Sequence, residues 1–313
     1  MGTPAIAAQV LDRLVTAGDA RFPVAAVVTR PDEPRGRGHK VEASEVAQVA
    51  ARHRIATLKP LKIRTPEFLA ELKSYQPDLL VVVAYGRILP DAILDVPRLM
   101  PINLHASLLP RHRGAAPIEG AILAGDAETG VTIMRITQQM DAGPMILKRV
   151  IPIAPADTQG SLKAKLAELG AAALLEALDL VARGVATETP QDEALATYTA
   201  LVKKSDAIID WNRDAAQIER MTRAYDPWPL ARTTLSGDEL LIYRAAVEGG
   251  ISDAGAAPHE SPGTILTATA SLVVQCGRGR LRLLEVQAPG RKRMPAADFA
   301  RGRRMHEGAR LGT

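Results

Sequence analysis

Three polar side chains in the middle of the chain have the types and the spacing of an acyl-transfer site. Asn103 and His105 are two residues apart at the end of an apolar stretch, and Asp141 follows 36 residues after His105. On a β-strand, Asn103 and His105 would project from the same face. An amide can donate to a developing oxyanion while an imidazole moves a proton and a carboxylate orients the imidazole or holds a relay water. Each residue alone would more often be a satisfied turn or core group, so the prediction depends on their acting together.

The elements that must position these residues follow from the hydrophobic pattern. Short apolar runs separated by helical patterns predict parallel α/β units in the first half of the chain. Helices are expected over residues 161–182 and after Thr3-Pro4 and Thr65-Pro66, since each pair offers an N-cap and an N1 proline. Apolar runs predict strands at residues 24–29, 79–84, 102–105, 131–136 and 145–153.

The second half of the chain has a different pattern. Residues 184–205 show weak periodicity, so we interpret them as a linker between a first domain, residues 1–183, and a second domain, residues 206–313. A helix over residues 214–225 is followed by short β-like runs with Gly and Pro between them, which predicts a small barrel. Those runs are residues 230–235, 239–247, 263–267, 272–276 and 281–286.

The N-terminus has the pattern of a strand-to-helix turn, yet no strand precedes Met1-Gly2-Thr3-Pro4 in the sequence. In a doubly wound sheet the first strand is central, and without it backbone groups in the core would be unpaired. We therefore expect that several residues upstream of Met1 belong to the functional protein.

Composition excludes several classes of protein. A chain of 313 residues exceeds what one hydrophobic core usually supports, so two domains are expected. No apolar run approaches the ~20 residues that a membrane helix needs, and a signal-peptide pattern is absent, so we expect a cytoplasmic protein that does not enter a membrane. The single cysteine, Cys276, excludes an internal disulfide and argues against a Cys-based metal site; we expect it to be buried in a strand.

The positive charge is concentrated near the C-terminus. Residues 278–310 contain ten Lys or Arg and three acidic residues, a balance of +7, although the whole chain carries only +4. Clustered basic residues gain affinity for polyanions by releasing phosphate counterions, so this tail is compatible with a nucleic acid partner. A solvated basic face is an equally good interpretation of composition alone.

Several blocks of the sequence resemble the folate-dependent formyltransferases. The Asn, His and Asp constellation is common to that family, whereas the Gly36-Arg37-Gly38 loop and the C-terminal blocks are typical of members that act on an aminoacyl-tRNA. One departure is His112, which stands where an aromatic ring usually separates two basic residues. The blocks cover nearly the whole chain: residues 1–4, 30–32 with 36–38, 83–86 with 88–90, 103–117, 125–132, 140–143, 209–211, 227–229 and 262–266.

This resemblance implies a fold and a reaction. The fold would be α/β, with a Rossmann-like, mostly parallel sheet carrying helices on both faces and a smaller C-terminal OB-like β-barrel. A monomeric enzyme would transfer the formyl group of 10-formyltetrahydrofolate to the free amine of methionyl-initiator tRNA. Asn103 would stabilise the oxyanion, His105 would act as general base or acid, and Asp141 would orient His105 or hold a water. No metal is implied, because one His and one Asp are too few ligands.

The resemblance also implies where the folate binds. Its pterin would lie in an apolar pocket whose polar contacts come largely from the backbone. Leu108 and Leu109 could instead be core residues, but Pro110 must end the strand at the carboxyl edge of the sheet, where open α/β sheets bind ligands. The expected lining residues are Ser107, Leu108, Leu109, Pro110, Arg87, Ile88, Leu89, Gln138, Met140 and Gly143.

Two basic regions are expected to contact the tRNA. Taken alone, the loop between Arg30 and Lys40 would be an ordinary solvated loop, and it lacks the third glycine and the following helix of a dinucleotide loop. Given the resemblance, Arg35, Arg37 and Lys40 are expected to reach the acceptor stem. In the tail, contacts to phosphates, which position a nucleic acid without reading its bases, are expected from Arg291, Lys292, Arg293, Arg303 and Arg304. For Trp211 and Trp228 we expect core packing rather than stacking on RNA.

Two other functions are open at this point. A formyltransferase that acts on glycinamide ribonucleotide or on a nucleotide-linked amino sugar would share the chemistry, but it would need neither the basic loop nor the second domain. A non-catalytic RNA-binding protein would need the basic regions but not the constellation, so His105→Ala would leave its function intact.

Overall fold

The computed structural model describes residues 1–17, 21–35, 40–249 and 260–312. The chain forms two compact units: the first consists of Met1–Pro117, Glu128–Pro152 and Lys163–Ala200, and the second of Ile118–Ala127, Ile153–Leu162 and Leu201–Thr313. In the described ranges, no helix is both long and apolar enough to cross a membrane.

Helices are interspersed with single strands and pairs of consecutive strands along the chain up to Thr199. In chain order they are α1 (Ala5–Thr16), β1 (Ala26–Val28), β2 (Glu33–Arg35), β3 (Lys40–Glu42), α2 (Glu45–Arg52), β4 (Ala56–Leu58), α3 (Pro66–Ser74), β5 (Leu79–Val82), α4 (Asp91–Leu94), β6 (Met100–His105), β7 (Arg113–Gly114), α5 (Pro117–Ala124), β8 (Glu128–Arg135), β9 (Met145–Pro152), α6 (Gln159–Ala182), a 3₁₀ turn (Glu193–Leu195) and β10 (Tyr198–Thr199).

The sheet of the first unit is mixed. β1 pairs with β4 in parallel, as β5 does with β6, but β8 is antiparallel to both β6 and β9. The prediction of a mostly parallel sheet is therefore wrong for this half of the sheet. For β9 the reason lies in the connection 136–144 from β8, which is shorter than the dozen or so residues that a parallel crossover requires. The connection 106–127 from β6 to β8 is long enough for either direction, so length does not explain the orientation of β8.

Met1 and Gly2 lie between β1 and β5. The N–H of Gly2 donates to the carbonyl oxygen of Val28 (3.0 Å), and the N–H of Val83 donates to that of Met1 (2.9 Å). The Met1 amino group donates to the carbonyl oxygen of Val81 (2.5 Å), and burial lowers the pKa of this amine from 8.0 to about 5. These two residues thus occupy the position between β1 and β5 that the sequence pattern assigns to a central strand.

The two predicted proline-led helices begin differently. At α3, Thr65 is the N-cap and its hydroxyl accepts from the N–H of Phe68 (3.3 Å), which confirms the prediction. At α1 the N-cap is Pro4 and has no capping side chain, so the predicted Thr3 cap is wrong. The Thr3 hydroxyl instead donates to the carbonyl oxygen of Tyr85 (3.5 Å), because the turn lies directly against the end of β5.

The second unit is built on a six-stranded antiparallel sheet with strand order β11-β12-β15-β14-β13, to which β16 adds by pairing with β15. Its elements from Lys204 onward are a 3₁₀ turn (Lys204–Ala207), α7 (Ala215–Ala224), β11 (Ala231–Leu235), β12 (Asp238–Glu248), β13 (Ile265–Thr267), β14 (Leu272–Gln275), β15 (Arg280–Gln287), β16 (Met294–Pro295) and α8 (Ala296–Gly302). The five short strands and the helix expected here are confirmed, with bounds that differ by a few residues.

The C-terminal segment connects the two edges of this sheet. Leu311 bridges Leu235 at the end of β11, and Arg310 bridges Thr264 next to β13. The sheet therefore curls into a half-barrel whose open side is crossed by residues 309–312. Trp211 is buried and donates through Nε1 to the Thr233 hydroxyl (3.0 Å), as expected for a core residue.

Candidate active site

Strand β6 places Asn103 and His105 on the same face of the sheet, as the spacing predicts. Asn103 pairs with Met134 of β8, and His105 pairs with Thr132. His105 is buried, whereas Asn103 is half-buried and its amide makes no hydrogen bond to any described residue. The Asn103 amide is therefore available to donate to a ligand beside His105.

The protonation pattern of His105 follows from its partner. Nε2 of His105 lies 2.9 Å from the carbonyl oxygen of His112, which can only accept, so Nε2 carries the proton of the neutral ring. The lone pair of the neutral imidazole is then on Nδ1, which lies 3.7 Å from Oδ2 of Asp141. That distance is too long for a hydrogen bond. The His112 carbonyl rather than Asp141 orients the ring, and the Asp141 carboxylate is placed to stabilise the imidazolium that forms when Nδ1 gains a proton.

Asp141 lies on a tightly held loop between β8 and β9. It adopts a left-handed backbone conformation (φ +51°), and its Oδ2 accepts from the N–H of Gly114 (2.8 Å). The amide Nε2 of Gln191 donates to the carbonyl oxygens of both Asp141 and Gly143, each at 2.8 Å. Gly143 is sterically required, because a Cβ there would lie 1.9 Å from the carbonyl oxygen of Arg135.

The segment Ser107 to Pro110 is fixed by hydrogen bonds to β8. The Thr132 hydroxyl donates to the carbonyl oxygen of Ser107 (2.7 Å) and accepts from the N–H of Leu109 (3.1 Å). The Ser107 hydroxyl donates to the carbonyl oxygen of Arg111, and Leu109 is fully buried against Met134 and Met145. The side chains of Ser107 and Leu109 are thus occupied by contacts within the protein. The half-buried Leu108 side chain and the backbone of this segment remain available to a ligand.

The other expected folate residues are divided between surface and core. Ile88 and Met140 are 70% and 59% exposed, whereas Leu89 is buried in the core. The Arg87 guanidinium donates to the carbonyl oxygens of Pro60 and Leu61, both at 3.1 Å. Gln138 donates through Nε2 to Asp91 (2.5 Å) and lines a cavity of about 410 Å³ whose walls also include Leu94, Met100, Pro101 and Ile136 but none of the constellation.

A buried arginine next to the site was not expected from the sequence. Arg113 is fully buried and donates to Oε1 of Gln191 (3.1 and 2.8 Å), to both carboxylate oxygens of Glu193 (2.9 and 2.7 Å) and to the Tyr198 hydroxyl (3.2 Å). The hydrogen bonds to Glu193 raise the pKa of Arg113, and those from Arg113 lower the pKa of Glu193. Gln191, Glu193 and Tyr198 lie in the segment that the pattern assigns to a linker, where weak periodicity gave no sign of this role.

That segment also adds a strand to the site. β10 pairs in parallel with β7, with Tyr198 opposite Arg113 and Thr199 opposite Gly114. The N–H of His112 donates to the Thr197 hydroxyl (2.8 Å), so His112 is engaged through its backbone on both sides. The buried His112 thus supports His105 with a carbonyl group that any residue type would supply.

The candidate tRNA-binding residues are only partly described. Arg35 and Lys40 belong to β2 and β3, but their side chains and the whole of Arg37 lie outside the described residues. In the tail, Arg291 and Lys292 are exposed, whereas Arg293 pairs with Glu285 and stacks on the Tyr243 ring at 4.4 Å. Arg304 is exposed, and Arg303 lies 3.9 Å from Asp238.

Trp228 and Cys276 are two further residues that the sequence places in the core. Trp228 is 53% exposed, so the expected core role is wrong; the residue stands between two prolines in cis peptide bonds on the surface of the second unit. Cys276 is buried as expected, and burial raises the pKa of its thiol to about 12, which excludes a nucleophilic role near neutral pH. Within the described residues, no group of three or more metal-ligating side chains occurs.

Known proteins resemble the chain along its whole length. A formyl transferase family profile matches residues 1–178, and the profile of the C-terminal domain of formyl transferases matches residues 201–304. A methionyl-tRNA formyltransferase of Methylococcus capsulatus is 48% identical over all of this chain and 98% of its own length. One from Geobacter sulfurreducens is 43% identical over all of this chain and 95% of its own length.

Solved structures with the same fold are more distant in sequence. The sugar 3N-formyltransferase WlaRD has a TM-score of 0.64 at 15% identity, covering 93% of this chain and 97% of its own. HypX from Aquifex aeolicus, solved in complex with tetrahydrofolic acid, has a TM-score of 0.58 at 20% identity, covering 88% of this chain and 47% of its own. With the two family profiles and relatives above 40% identity, the chain belongs to the formyl transferase family.

Proposed function

We propose that this protein transfers the formyl group of 10-formyltetrahydrofolate to the free amine of methionyl-initiator tRNA, giving N-formylmethionyl-tRNA for translation initiation. One observation carries the chemistry: an uncommitted Asn103 amide lies two residues from His105, whose Nδ1 faces Asp141 at 3.7 Å. The acceptor is taken from the relatives, which are methionyl-tRNA formyltransferases.

Each group of the constellation has a distinct task in this reaction. The neutral amine forms a C–N bond to the formyl carbon, and the Asn103 amide N–H donates to the oxyanion of the tetrahedral intermediate. Nδ1 of His105 takes the proton that the amine loses, and the Asp141 carboxylate stabilises the resulting imidazolium. When the bond from carbon to N10 of the folate breaks, the same proton is available to the departing nitrogen.

The folate would bind next to Leu108, Ile88 and Met140, with Ser107, Leu109 and Pro110 contributing backbone. Ile88 and Met140 support this because they are largely exposed apolar side chains on the two loops that follow β5 and β8. Such exposed apolar groups near polar catalytic residues are typical of a small-molecule site. Leu89 would act from the core, whereas Arg87, Gln138 and Gly143 would fix the backbone of those loops.

The tRNA would be held by the basic tail of the second unit and by Arg35, Arg37 and Lys40. Among the tail residues, Arg291, Lys292 and Arg304 are expected to contribute most to phosphate contacts, because Arg293 and Arg303 already face Glu285 and Asp238. Trp228 adds an exposed aromatic face on which an unpaired base can stack.

The proposal assigns separate roles to two domains of the chain. Residues 1–183 would be the catalytic domain with a Rossmann-like sheet, residues 184–205 the connecting segment, and residues 206–313 an OB-like tRNA-binding domain. The enzyme would act as a monomer in the cytoplasm, where charged initiator tRNA and folate meet. The match of one family profile to residues 1–178 and of another to 201–304 supports boundaries in this region.

A second candidate is a formyltransferase for a nucleotide-linked amino sugar. The fold it shares with WlaRD and with the N-formyltransferase of Helicobacter canadensis, solved with folinic acid and dTDP-3-aminofucose, favours this alternative. The test supplies the enzyme with 10-formyltetrahydrofolate and, in parallel, methionyl-tRNA, glycinamide ribonucleotide or a nucleotide-linked amino sugar. Turnover on the charged tRNA that His105→Ala lowers by about 10²-fold or more supports the proposal; turnover only on a small amine refutes it.

A further inference from the structure

The Asp141 loop needs outside support to keep its shape. Asp141 itself has a positive φ, a conformation that is uncommon for non-glycine residues, although aspartate adopts it more readily than most. Non-glycine residues in this region persist only where the surrounding structure holds them. The contacts that hold the loop are therefore part of what places the Asp141 carboxylate 3.7 Å from Nδ1 of His105.

Gln191 supplies the hydrogen bonds that pin the loop backbone from outside. Its Nε2 donates to the carbonyl oxygens of Asp141 and Gly143, both at 2.8 Å. One amide group therefore holds the loop backbone at two carbonyl groups, one on either side of Ala142. Among the described residues, the other hydrogen bond to Asp141 comes from the Gly114 N–H, which holds the carboxylate and not the backbone.

Arg113 in turn fixes which way the Gln191 amide points. A guanidinium only donates, so the atom of Gln191 that lies 2.8 Å from Nη2 of Arg113 must be the acceptor Oε1. The donating Nε2 then has to face the loop carbonyls. Arg113 is fully buried and paired with Glu193, so its own orientation is fixed by two parallel hydrogen bonds.

We propose that Gln191, oriented by Arg113, is the positioning residue for Asp141 in formyl transfer. This inference rests on the proposed function for its chemistry, but the geometry behind it is independent of the acceptor. Gln191 lies between the two profile-matched regions, so this segment contributes a side chain that helps to set the distance between the Asp141 carboxylate and Nδ1 of His105.

The test uses Gln191→Glu, which keeps the length of the side chain and an acceptor for Arg113 but sets a carboxylate oxygen against the two loop carbonyls. Because small misplacements of a catalytic group can cost up to about 10²-fold in rate, we expect kcat to fall by about 10- to 100-fold. KM for methionyl-tRNA should stay within about twofold, and the acidic limb of the kcat–pH profile should move, because Asp141 no longer stabilises the imidazolium. Gln191→Met, which has no polar group, should show the same loss if Gln191→Glu folds poorly. The control makes the same substitution at an exposed glutamine of α1: Gln9→Glu should keep wild-type rates.

A double-mutant cycle separates positioning from general damage. If Gln191 acts through Asp141, Gln191→Glu should add no further loss of kcat in an Asp141→Asn background. The inference would be overturned if the losses of kcat from Gln191→Glu and Asp141→Asn multiplied in the double variant. A Gln191→Glu enzyme with wild-type kcat would overturn it as well. Hydrogen exchange gives a readout that needs no turnover: amides of residues 138–143 should exchange faster in Gln191→Glu, and unchanged exchange also overturns it. An inactive wild type with accelerated exchange in the variant would reject the proposed function while retaining the positioning role.

Discussion

A polypeptide prepared with Met1 as its first residue carries a buried α-amine, and we expect its stability to depend on pH. Burial lowers the pKa of this amine from 8.0 to about 5. Between those values the unfolded chain binds a proton that the folded chain does not, so the free energy of unfolding falls as the pH falls from 8 to 5. Since one pKa unit corresponds to about 1.4 kcal/mol, the full loss is about 4 kcal/mol, complete below pH 5 and absent above pH 8.

Denaturant unfolding at pH values between 4.5 and 8.5 measures this effect. The matched control is the same chain with an acetylated α-amine, which loses the titratable charge but keeps an N–H donor for the carbonyl oxygen of Val81. All other ionisable groups are common to both chains and cancel in the difference. Because Trp211 and Trp228 both lie in the second unit, far-UV circular dichroism rather than tryptophan fluorescence should follow the first unit.

The expected result is a difference between the two chains that grows by about 1.4 kcal/mol per pH unit as the pH falls below 8 and levels off near pH 5. Curves that stay parallel from pH 8 to pH 5 would refute the reasoning, since they would mean that the folded chain accommodates the charged amine as readily as water does.

Four further changes test the site and the tRNA-binding surface. Asn103→Ala should lower kcat about 10²- to 10³-fold with little change in KM, measured by formyl transfer to methionyl-tRNA, because one oxyanion donor is lost; a rise in KM alone would contradict that role. Thr132→Val should cost about 1–3 kcal/mol in urea unfolding and raise KM for the folate, because two buried hydrogen bonds to the 107–109 backbone are lost; unchanged stability would contradict it. Gly143→Ala should displace the Asp141 loop and lower kcat, since its Cβ would meet the Arg135 carbonyl oxygen at 1.9 Å, and a crystal structure with an unmoved loop would contradict it. Replacing Arg291 and Lys292 by Ala should reduce the slope of log affinity for tRNA against log salt by about one to two, measured by filter binding, and an unchanged slope would place the phosphates elsewhere.

Local pattern predicted those parts of the fold that local chemistry determines. The apolar spacing within α6 and the alternation along β12 and β15 identify these elements within a few residues. Asn103 and His105 converge because two residues on one strand share a face, which spacing alone specifies. Asp141 was grouped with them by the chemistry of its side chain and by the resemblance, because spacing alone does not place a carboxylate that lies on a loop after another strand.

Contacts between distant residues left no periodic signal in the sequence. Arg113 has a charged side chain of a type that is almost never fully buried unless paired, so no pattern would place it in the interior. Its partners Gln191 and Glu193 lie about 80 residues away in a segment that looks like a linker. The exposure of Trp228 was not predicted, because burial of a large aromatic residue was favoured over stacking on RNA.

The imidazole that gains a proton in the proposed reaction and the carboxylate that stabilises it depend on one short stretch of backbone. Nε2 of His105 donates to the His112 carbonyl, and the Asp141 carboxylate accepts from the Gly114 N–H, so both are attached to residues 112–114. Those residues are themselves paired with β10, through the Thr197 hydroxyl and the register of Arg113 with Tyr198. A displacement of residues 112–114 would move the imidazole and the carboxylate in the same direction. Their separation is therefore less sensitive to motion than it would be if each group were attached to a different segment. Preserving that separation is what the chemistry requires, because the stabilisation of an imidazolium by a carboxylate depends on the distance between them.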